Sequence, residues 1–123
     1  MSVQNRLDLS GKQLSSLPDR ICGSSELEEL NLDKNQLASL PECIGRLRHL
    51  KKLSLYSNRL DSLPETVWEL SNLQTLNLAE NHFSTLSAGI GNLTQLHMLD
   101  LGHNELFALP ESIVRYVQVN QAA

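Results

Sequence analysis

Histidine is the side chain of this sequence best suited to metal binding, and the four histidines are His49, His82, His97 and His103. His82 and His103 would approach each other if neighbouring segments of the chain stack, with Glu80 alongside His103. Two imidazoles and a carboxylate are enough to hold zinc. Nothing in the spacing requires such a site, and exposed histidines on loops are common. We therefore predict that the chain has no metal site.

Nucleophilic chemistry is equally weakly supported. None of the serines stands in the pattern of a nucleophile elbow, and the six glycines are scattered rather than gathered into a phosphate-binding loop. Cys22 and Cys43 are the only cysteines, too few for a disulfide framework or a four-cysteine zinc site. We interpret both as free thiols, and we predict no catalytic residue and no cofactor.

Composition narrows the possible partners and the compartment. The 123 residues are enough for one domain, and 10 basic against 14 acidic side chains give a formal net charge of −4. A nucleic-acid or anionic-membrane binder is expected to be basic, so the charge argues against both. No apolar run approaches the ~18 residues of a membrane span, and the first residues hold no apolar stretch like that of a signal peptide. The sequence predicts a cytoplasmic domain that binds neither nucleic acid nor membrane.

Leucine makes up 26 of the 123 residues, and its placement is periodic. The chain divides without insertion or deletion into five units of 23 residues, 4–26, 27–49, 50–72, 73–95 and 96–118. Each unit has seven slots that are apolar in nearly every unit, and every leucine fills one of them. The exceptions are Gln4 and Ser24 in the first unit. One unit cannot bury its leucines alone, so the units must stack.

Three features of the unit predict its local structure. Its x-Leu-x-Leu segment alternates with a period of two, as in a short strand with one buried face. A proline follows the fifth apolar slot in four units and suits the start of a helix, whose buried stripe is formed by the last two apolar slots, three residues apart. At the ninth position, a short amide can bond backbone groups that the turning chain would leave unpaired. Stacking would align these amides into a ladder of Asn35, Asn58, Asn81 and Asn104.

Written as LxxLxLxxNxLxxLPxxIxxLxx, the unit resembles the leucine-rich repeat family, and most of all its 23-residue intracellular class, the Ras-suppressor and Scribble-like repeats. The resemblance covers essentially the whole chain. It implies an α/β solenoid bent into a right-handed horseshoe arc, with a parallel sheet on the concave side and short helices on the convex side. It also implies a protein-binding role. We predict a single domain over residues 1–123 with strands around 6–9, 29–32, 52–55, 75–78 and 98–101.

The outward-facing side chains of the strands are the candidate binding surface. Five strands ~4.8 Å apart span roughly 20–25 Å, which is the width of a standard protein interface. Tyr56 is the only aromatic residue of this face and lies at its centre, so we predict that it anchors the partner. The predicted partner-binding residues are Glu29, Lys52, Ser54, Tyr56, Asn77, Met98, Asp100 and His103.

Charge is uneven along the chain. Residues 1–59 carry nine basic and seven acidic groups, net +2, whereas residues 60–123 carry one basic and seven acidic groups, net −6. Lys51 and Lys52 align with two acidic residues of the preceding strand, Glu28 and Glu29 respectively, and Arg6 flanks the second of these. We expect these charges to neutralise one another across the strands. The acidic C-terminal half could steer a basic partner toward that end.

The C-terminal end of the array predicts a second contact surface. Val119 falls on the first position of a sixth unit, and the last complete unit carries Phe107 and Tyr116 beside an apolar layer. An edge strand with unpaired N–H and C=O groups is a template for another chain. We predict that self-association, if it occurs, gives a two-fold homodimer through an uncapped C-terminal edge.

The leading functional hypothesis is a non-catalytic module that binds a protein partner on its concave sheet. Two alternatives stay open beside it. The chain can be the recognition arm of a larger signalling enzyme, such as a kinase, a GTPase or a ubiquitin ligase, because repeats of the resembled class are often fused to such domains. It can also be a self-assembling structural protein.

Overall fold

The computed structural model describes residues 5–113 and 118–120, which form one parallel sheet backed by short helices. The strands pair in chain order, and the first five keep a register of 23 residues. They are β1 (Arg6–Asp8), β2 (Glu29–Asn31), β3 (Lys52–Ser54), β4 (Thr75–Asn77), β5 (Met98–Asp100) and β6 (Gln118–Asn120). The predicted parallel solenoid and the places of its first five strands are confirmed. Gln4 and Tyr116, named above, lie outside the described residues.

Four of the strands bury their middle residue in a core of stacked leucines. From β2 to β5 these are Leu30, Leu53, Leu76 and Leu99, and none exposes more than 1% of its surface. Leu7 of β1 is only half-buried, because β1 has a neighbouring strand on one side alone within the described sheet. The residues on either side of each leucine point away from the core, so the core fixes which side chains the sheet presents.

The sixth strand starts three residues earlier than the repeat predicts. A sixth unit that began at Val119 would place its middle strand residue at position 122, whereas Val119 itself pairs with Leu99. Residue 122 is an alanine, and a β-branched valine suits a pleated strand better. Because β6 pairs along β5, the expectation that the strand of the last complete unit is an unpaired edge is wrong, and Leu101 and Ile113 are buried.

Short 3₁₀ helices form the convex side of the solenoid, opposite the sheet. They are η1 (Asp19–Gly23), η2 (Glu42–Arg46), η3 (Glu65–Glu69), η4 (Ala88–Asn92) and η5 (Glu111–Ile113). Proline precedes each of the first three, with φ between −63° and −69°, because its ring fixes this angle. Ser87 takes the same place before η4, where its hydroxyl accepts a hydrogen bond from the N–H of Gly89 at 3.0 Å. A side-chain cap therefore replaces the proline ring in this unit.

The convex side is packed tightly at Gly89. Trp68 of η3 is 5% exposed, and its Nε1–H donates a hydrogen bond to Glu65 at 3.1 Å. The indole lies so close to Gly89 that a β-carbon there would come within 2.6 Å of Trp68 Cδ1. Glycine is required at this position because any side chain would push the indole out of the gap between the helices.

Cys22 and Cys43 form a disulfide, so the prediction of free thiols is wrong. Their Cα atoms are 5.8 Å apart although the two residues occupy different positions of the repeat. Cys22 lies in η1 and Cys43 in η2, and a two-residue offset along a 3₁₀ helix is only about 4 Å. The offset is within the reach of a disulfide, which joins the first two units on the convex side.

Buried asparagine amides tie each unit to the one before it. The Asn58 Nδ2 donates to the carbonyl of Leu55 in its own unit at 3.1 Å and to that of Leu32 in the preceding unit at 3.0 Å. Its Oδ1 accepts a hydrogen bond from the N–H of Leu37, also in the preceding unit, at 3.1 Å. The equivalent three bonds, in register with the repeat, are made by Asn35, Asn81 and Asn104.

Replacing a ladder asparagine is expected to destabilise the fold. Asn58→Ala removes three hydrogen bonds from buried backbone groups, so we expect the free energy of unfolding to fall by about 1–3 kcal/mol. Lys12→Ala is the matched control, because Lys12 stands at the same repeat position and reaches the ladder only through its backbone N–H. Urea denaturation measures both. Equal midpoints for the two variants would contradict the ladder.

Candidate functional site

The outward side chains of the sheet line up in two rows because the strands are in register. The row at the start of the strands holds Arg6, Glu29, Lys52, Thr75 and Met98. The row two residues later holds Asp8, Asn31, Ser54, Asn77 and Asp100. We refer to these rows, together with the turns that follow the strands, as the concave face. Eight of the ten residues of these rows lie in the four neighbouring strands β2 to β5, close enough for one partner to touch.

The second row also holds the turns in place. Oδ1 of Asn77 accepts a hydrogen bond from the N–H of Ala79 at 3.0 Å, and Oδ1 of Asp100 accepts one from the N–H of Gly102 at 3.0 Å. An asparagine or aspartate is suited to this role because its short side chain can bond the backbone two residues further on. Asn77 and Asp100 therefore cap the turns with one atom each and present the other to a ligand.

The third unit replaces this cap with a contact between units. The Ser54 hydroxyl donates to Asp33 of the preceding unit instead of capping its own turn, and Asp33 takes over the cap. One Asp33 oxygen accepts hydrogen bonds from the Ser54 hydroxyl at 2.5 Å and from the N–H of Tyr56 at 2.9 Å. The predicted binding residue Ser54 is thus engaged within the protein. Sequence reasoning missed Asp33, although the serine in a row otherwise made of Asp and Asn was a signal.

The turns after the strands adopt a left-handed backbone conformation at one repeated position. Lys34, Ser57, Glu80 and His103 have φ between 54° and 61° there, and Gly11 takes it in the first unit with a φ of 64°. His103, a predicted binding residue, therefore lies exposed on a turn rather than in the rows. Only Gly11 signals this conformation in the sequence, because the other four residue types seldom adopt it.

Two of the expected ion pairs form across the strands, and a third does not. Lys51 Nζ lies 3.6 Å from Glu28 Oε1, and Arg6 Nε lies 3.5 Å from Glu29 Oε1. The expected pairing of Lys52 with Glu29 is wrong, because Arg6 holds that carboxylate from the other side. Within residues 5–113, Lys52 has no carboxylate at ion-pair distance. It therefore presents an uncompensated positive charge in the middle of the concave face.

Tyr56 lies half-buried on the turn after β3 and contacts the next unit. Its hydroxyl donates a hydrogen bond to Glu80 Oε2 at 3.1 Å. This bond and the negative charge of Glu80 favour the neutral phenol, so they raise the pKa of Tyr56 above its ordinary value of 10.0. The ring is thereby held in one orientation over the turn, as a binding anchor requires.

Two open clefts on the concave face meet at Lys52 and Ser54, which line both of them. The cleft between β3 and β5 has a volume of about 370 Å³ and the cleft between β1 and β3 about 300 Å³. Six of the eight predicted binding residues line one or both clefts: Glu29, Lys52, Ser54, Asn77, Met98 and Asp100. The other two, Tyr56 and His103, lie on the turns. A larger groove of about 670 Å³ on the convex side holds none of the eight.

The histidines are dispersed over the described surface. His82 Nδ1 lies 3.7 Å from Glu105 Oε2, and His103 stands exposed on its turn. Residues 5–113 and 118–120 hold no group of three or more potential metal ligands. In the same residues, every helix is too short to cross a membrane.

Comparison with family models finds a match to the one described as "Leucine rich repeat". It covers residues 5–60 and 48–106, and therefore most of the chain. Comparison with curated protein sequences finds no match.

Solved structures with the same architecture come from bacteria and plants. A leucine-rich repeat protein of Leptospira interrogans is 27% identical with a TM-score of 0.58, and the match covers 89% of this chain and 40% of that one. The ectodomain of the receptor kinase SOBIR1 from Arabidopsis thaliana is 28% identical with a TM-score of 0.77, covering 94% and 67%. The plant peptide hormone receptor RGFR1, in complex with RGF2, is 33% identical with a TM-score of 0.72, covering 85% and 18%. The chain thus spans less than half of the Leptospira protein and of RGFR1.

Glu80→Gln is expected to lower the pKa of Tyr56 toward 10.0, because it removes the charged acceptor that stabilises the neutral phenol. Ultraviolet absorbance at high pH follows the ionisation, in a Tyr116→Phe background that leaves one tyrosine. Glu105→Gln is the matched control, since Glu105 contacts His82 instead. A Tyr56 pKa that is the same with and without Glu80 would contradict the assigned contact.

Proposed function

Because the chain belongs to the leucine-rich repeat family, we propose that it is a non-catalytic interaction module that binds a protein partner on its concave face. The observation that carries the proposal is the pair of clefts that meet at Lys52 and are lined by six of the eight predicted binding residues. These side chains project from strands that the leucine core fixes, so little backbone conformational entropy is lost when a partner binds. RGFR1, a similar structure, was solved in complex with RGF2. The proposal involves no cofactor.

The 23-residue intracellular class and the cytoplasmic location stay predictions. The unbroken register of five units supports the class. The disulfide between Cys22 and Cys43 weighs against the cytoplasm, because disulfides persist mainly in oxidising compartments.

A second candidate function is the recognition arm of a larger signalling enzyme. SOBIR1, of which one similar structure is the ectodomain, is a receptor kinase. The concave face would bind the partner in the same way, and another domain would carry the catalysis. A reading frame that continues into a kinase, GTPase or ubiquitin-ligase domain would favour the arm over the isolated module.

Substitutions on the concave face are expected to abolish partner binding while convex substitutions leave it intact. The test is a pull-down from the native host with the wild-type chain beside the double variant Tyr56→Ala, Lys52→Glu, followed by affinity measurement on the recovered partner. We expect the double variant to raise the Kd by about a hundredfold, in the range of an interface hot spot. Arg46→Glu, on the exposed surface of η2, is the control and should change the Kd less than twofold. Loss of binding in the control alone would place the interface on the convex side.

We also propose that self-association, where it occurs, uses the C-terminal end of the array. Phe107 is 78% exposed there, beside the half-buried Leu106 and Leu109. Packing this surface against its copy would remove apolar area from water on both chains and close a two-fold dimer. Light scattering is expected to show a mass that rises with concentration toward twice 13.7 kDa, and Phe107→Asp should abolish the rise. A dimer that is built through the concave face, or that Phe107→Asp leaves intact, contradicts this proposal.

A further inference from the structure

Three uncompensated cations surround the centre of the concave face. Besides Lys52, both Lys34 and Arg59 are exposed, and neither has a carboxylate at ion-pair distance among the described residues. Lys34 follows β2 and Arg59 follows β3, so all three lie around the turn that carries Tyr56. The Lys34 N–H donates to the Tyr56 carbonyl at 2.8 Å, which fixes that proximity. Among the described residues these three cations make no ion pair, so their charges are available to a binding partner.

The cleft of about 370 Å³ runs from Lys52 to an exposed apolar side chain on β5. Leu53 and Leu76, which are at most 1% exposed, line it from the core side. Met98 lines it from β5 and is 41% exposed. A methionine side chain is flexible and polarisable, so it can adapt to an apolar side chain that enters the cleft. The cleft can therefore hold one aliphatic side chain of a partner.

Asp100 lines the same cleft and gives it a negative end opposite Lys52. Its Oδ1 accepts a hydrogen bond from Gly102, which leaves the second oxygen to face a ligand. Lys52 aligns with Met98 two strands away, and Asp100 follows Met98 by two residues. In a regular sheet this places Lys52 and Asp100 about 12 Å apart. An extended peptide covers that distance in about three to four residues.

From this arrangement we infer that the partner segment is an extended peptide with an acidic side chain at one end and a basic side chain about three to four residues away. The acidic group pairs with Lys52 and an aliphatic side chain between the two charges enters the cleft. The basic group pairs with Asp100. This inference rests on the proposed binding function of the concave face and names the chemistry of the partner.

A nucleic acid fits the same surface less well. Its phosphates could pair with Lys34, Lys52 and Arg59, because phosphate contacts need only positive charge. The same strand would then meet the carboxylates of Glu80 and Asp100, and a uniformly negative polymer cannot satisfy both ends of the cleft. The opposed charges favour a peptide that carries both signs.

The test uses a library of random ten-residue peptides displayed on phage, selected against the full chain. We expect the enriched peptides to share an Asp or Glu, an aliphatic residue, and a Lys or Arg about three to four positions from the acid. A synthetic peptide of the enriched sequence should bind Lys52→Glu about tenfold or more weakly than the wild type. Lys51→Glu is the matched control, because it makes the same change of charge at a lysine that already pairs with Glu28. This variant should change the Kd less than twofold.

A charge swap makes the test independent of folding defects. A peptide in which the acid is replaced by lysine should bind Lys52→Glu more tightly than it binds the wild type. Enriched peptides that lack the acidic residue would overturn the inference. The inference would also be overturned if Tyr56→Ala abolished peptide binding and Lys52→Glu left it unchanged, although binding on the concave face would then stand. Peptides unaffected by either substitution would contradict the proposed function as well. A library that yields no enriched peptide, or enrichment of an oligonucleotide in a parallel selection instead, also overturns the inference.

Discussion

The structure depends on buried asparagine amides that satisfy the backbone where each strand turns toward the convex side. Asn35, Asn58 and Asn81 expose 7% of their surface or less, in a region where water cannot replace a missing hydrogen bond. Each amide bonds at least one carbonyl of its own unit and at least two backbone groups of the unit before it. Because these bonds require neighbouring turns to stack in phase, they hold the units at a fixed register that leucine packing alone would specify less sharply.

The binding surface is a consequence of that register. With the turns in phase, Lys52 stands between Glu29 and Thr75 on the neighbouring strands, and the clefts form on either side of it. The side chains that the fold leaves uncommitted are the ones that give the concave face its chemistry. Asp33 accepts hydrogen bonds that stabilise the turn of the third unit. In contrast, Glu29 pairs with Arg6, so Lys52 makes no ion pair among the described residues and its charge is available to a partner.

The periodic features of this protein could be predicted from the sequence, and the local ones could not. Leucine spacing locates β1 to β5, and the recurring asparagine marks the ladder, because both follow from one unit repeated. The disulfide was missed because the repeat alignment compares equal positions, whereas Cys22 and Cys43 meet through a two-residue offset between neighbouring helices. The place of β6 was missed because it follows β5 after 20 residues, where the other strands are 23 residues apart. The two rows of the candidate site could be predicted from the repeat. The pairing of Glu29 with Arg6 rather than with Lys52 could not, because it depends on side-chain geometry that the spacing does not encode.

Native-state hydrogen exchange at single backbone amides tests the role of the ladder most directly. The N–H of Leu37 donates to Asn58, and the N–H of Leu60 donates to Asn81 one unit further on. If the amides tie the units together, Asn58→Ala will speed exchange at Leu37 by about tenfold or more and affect Leu60 much less, because each asparagine guards its own junction. Unchanged exchange at Leu37, or an equal acceleration at both amides, would contradict the account.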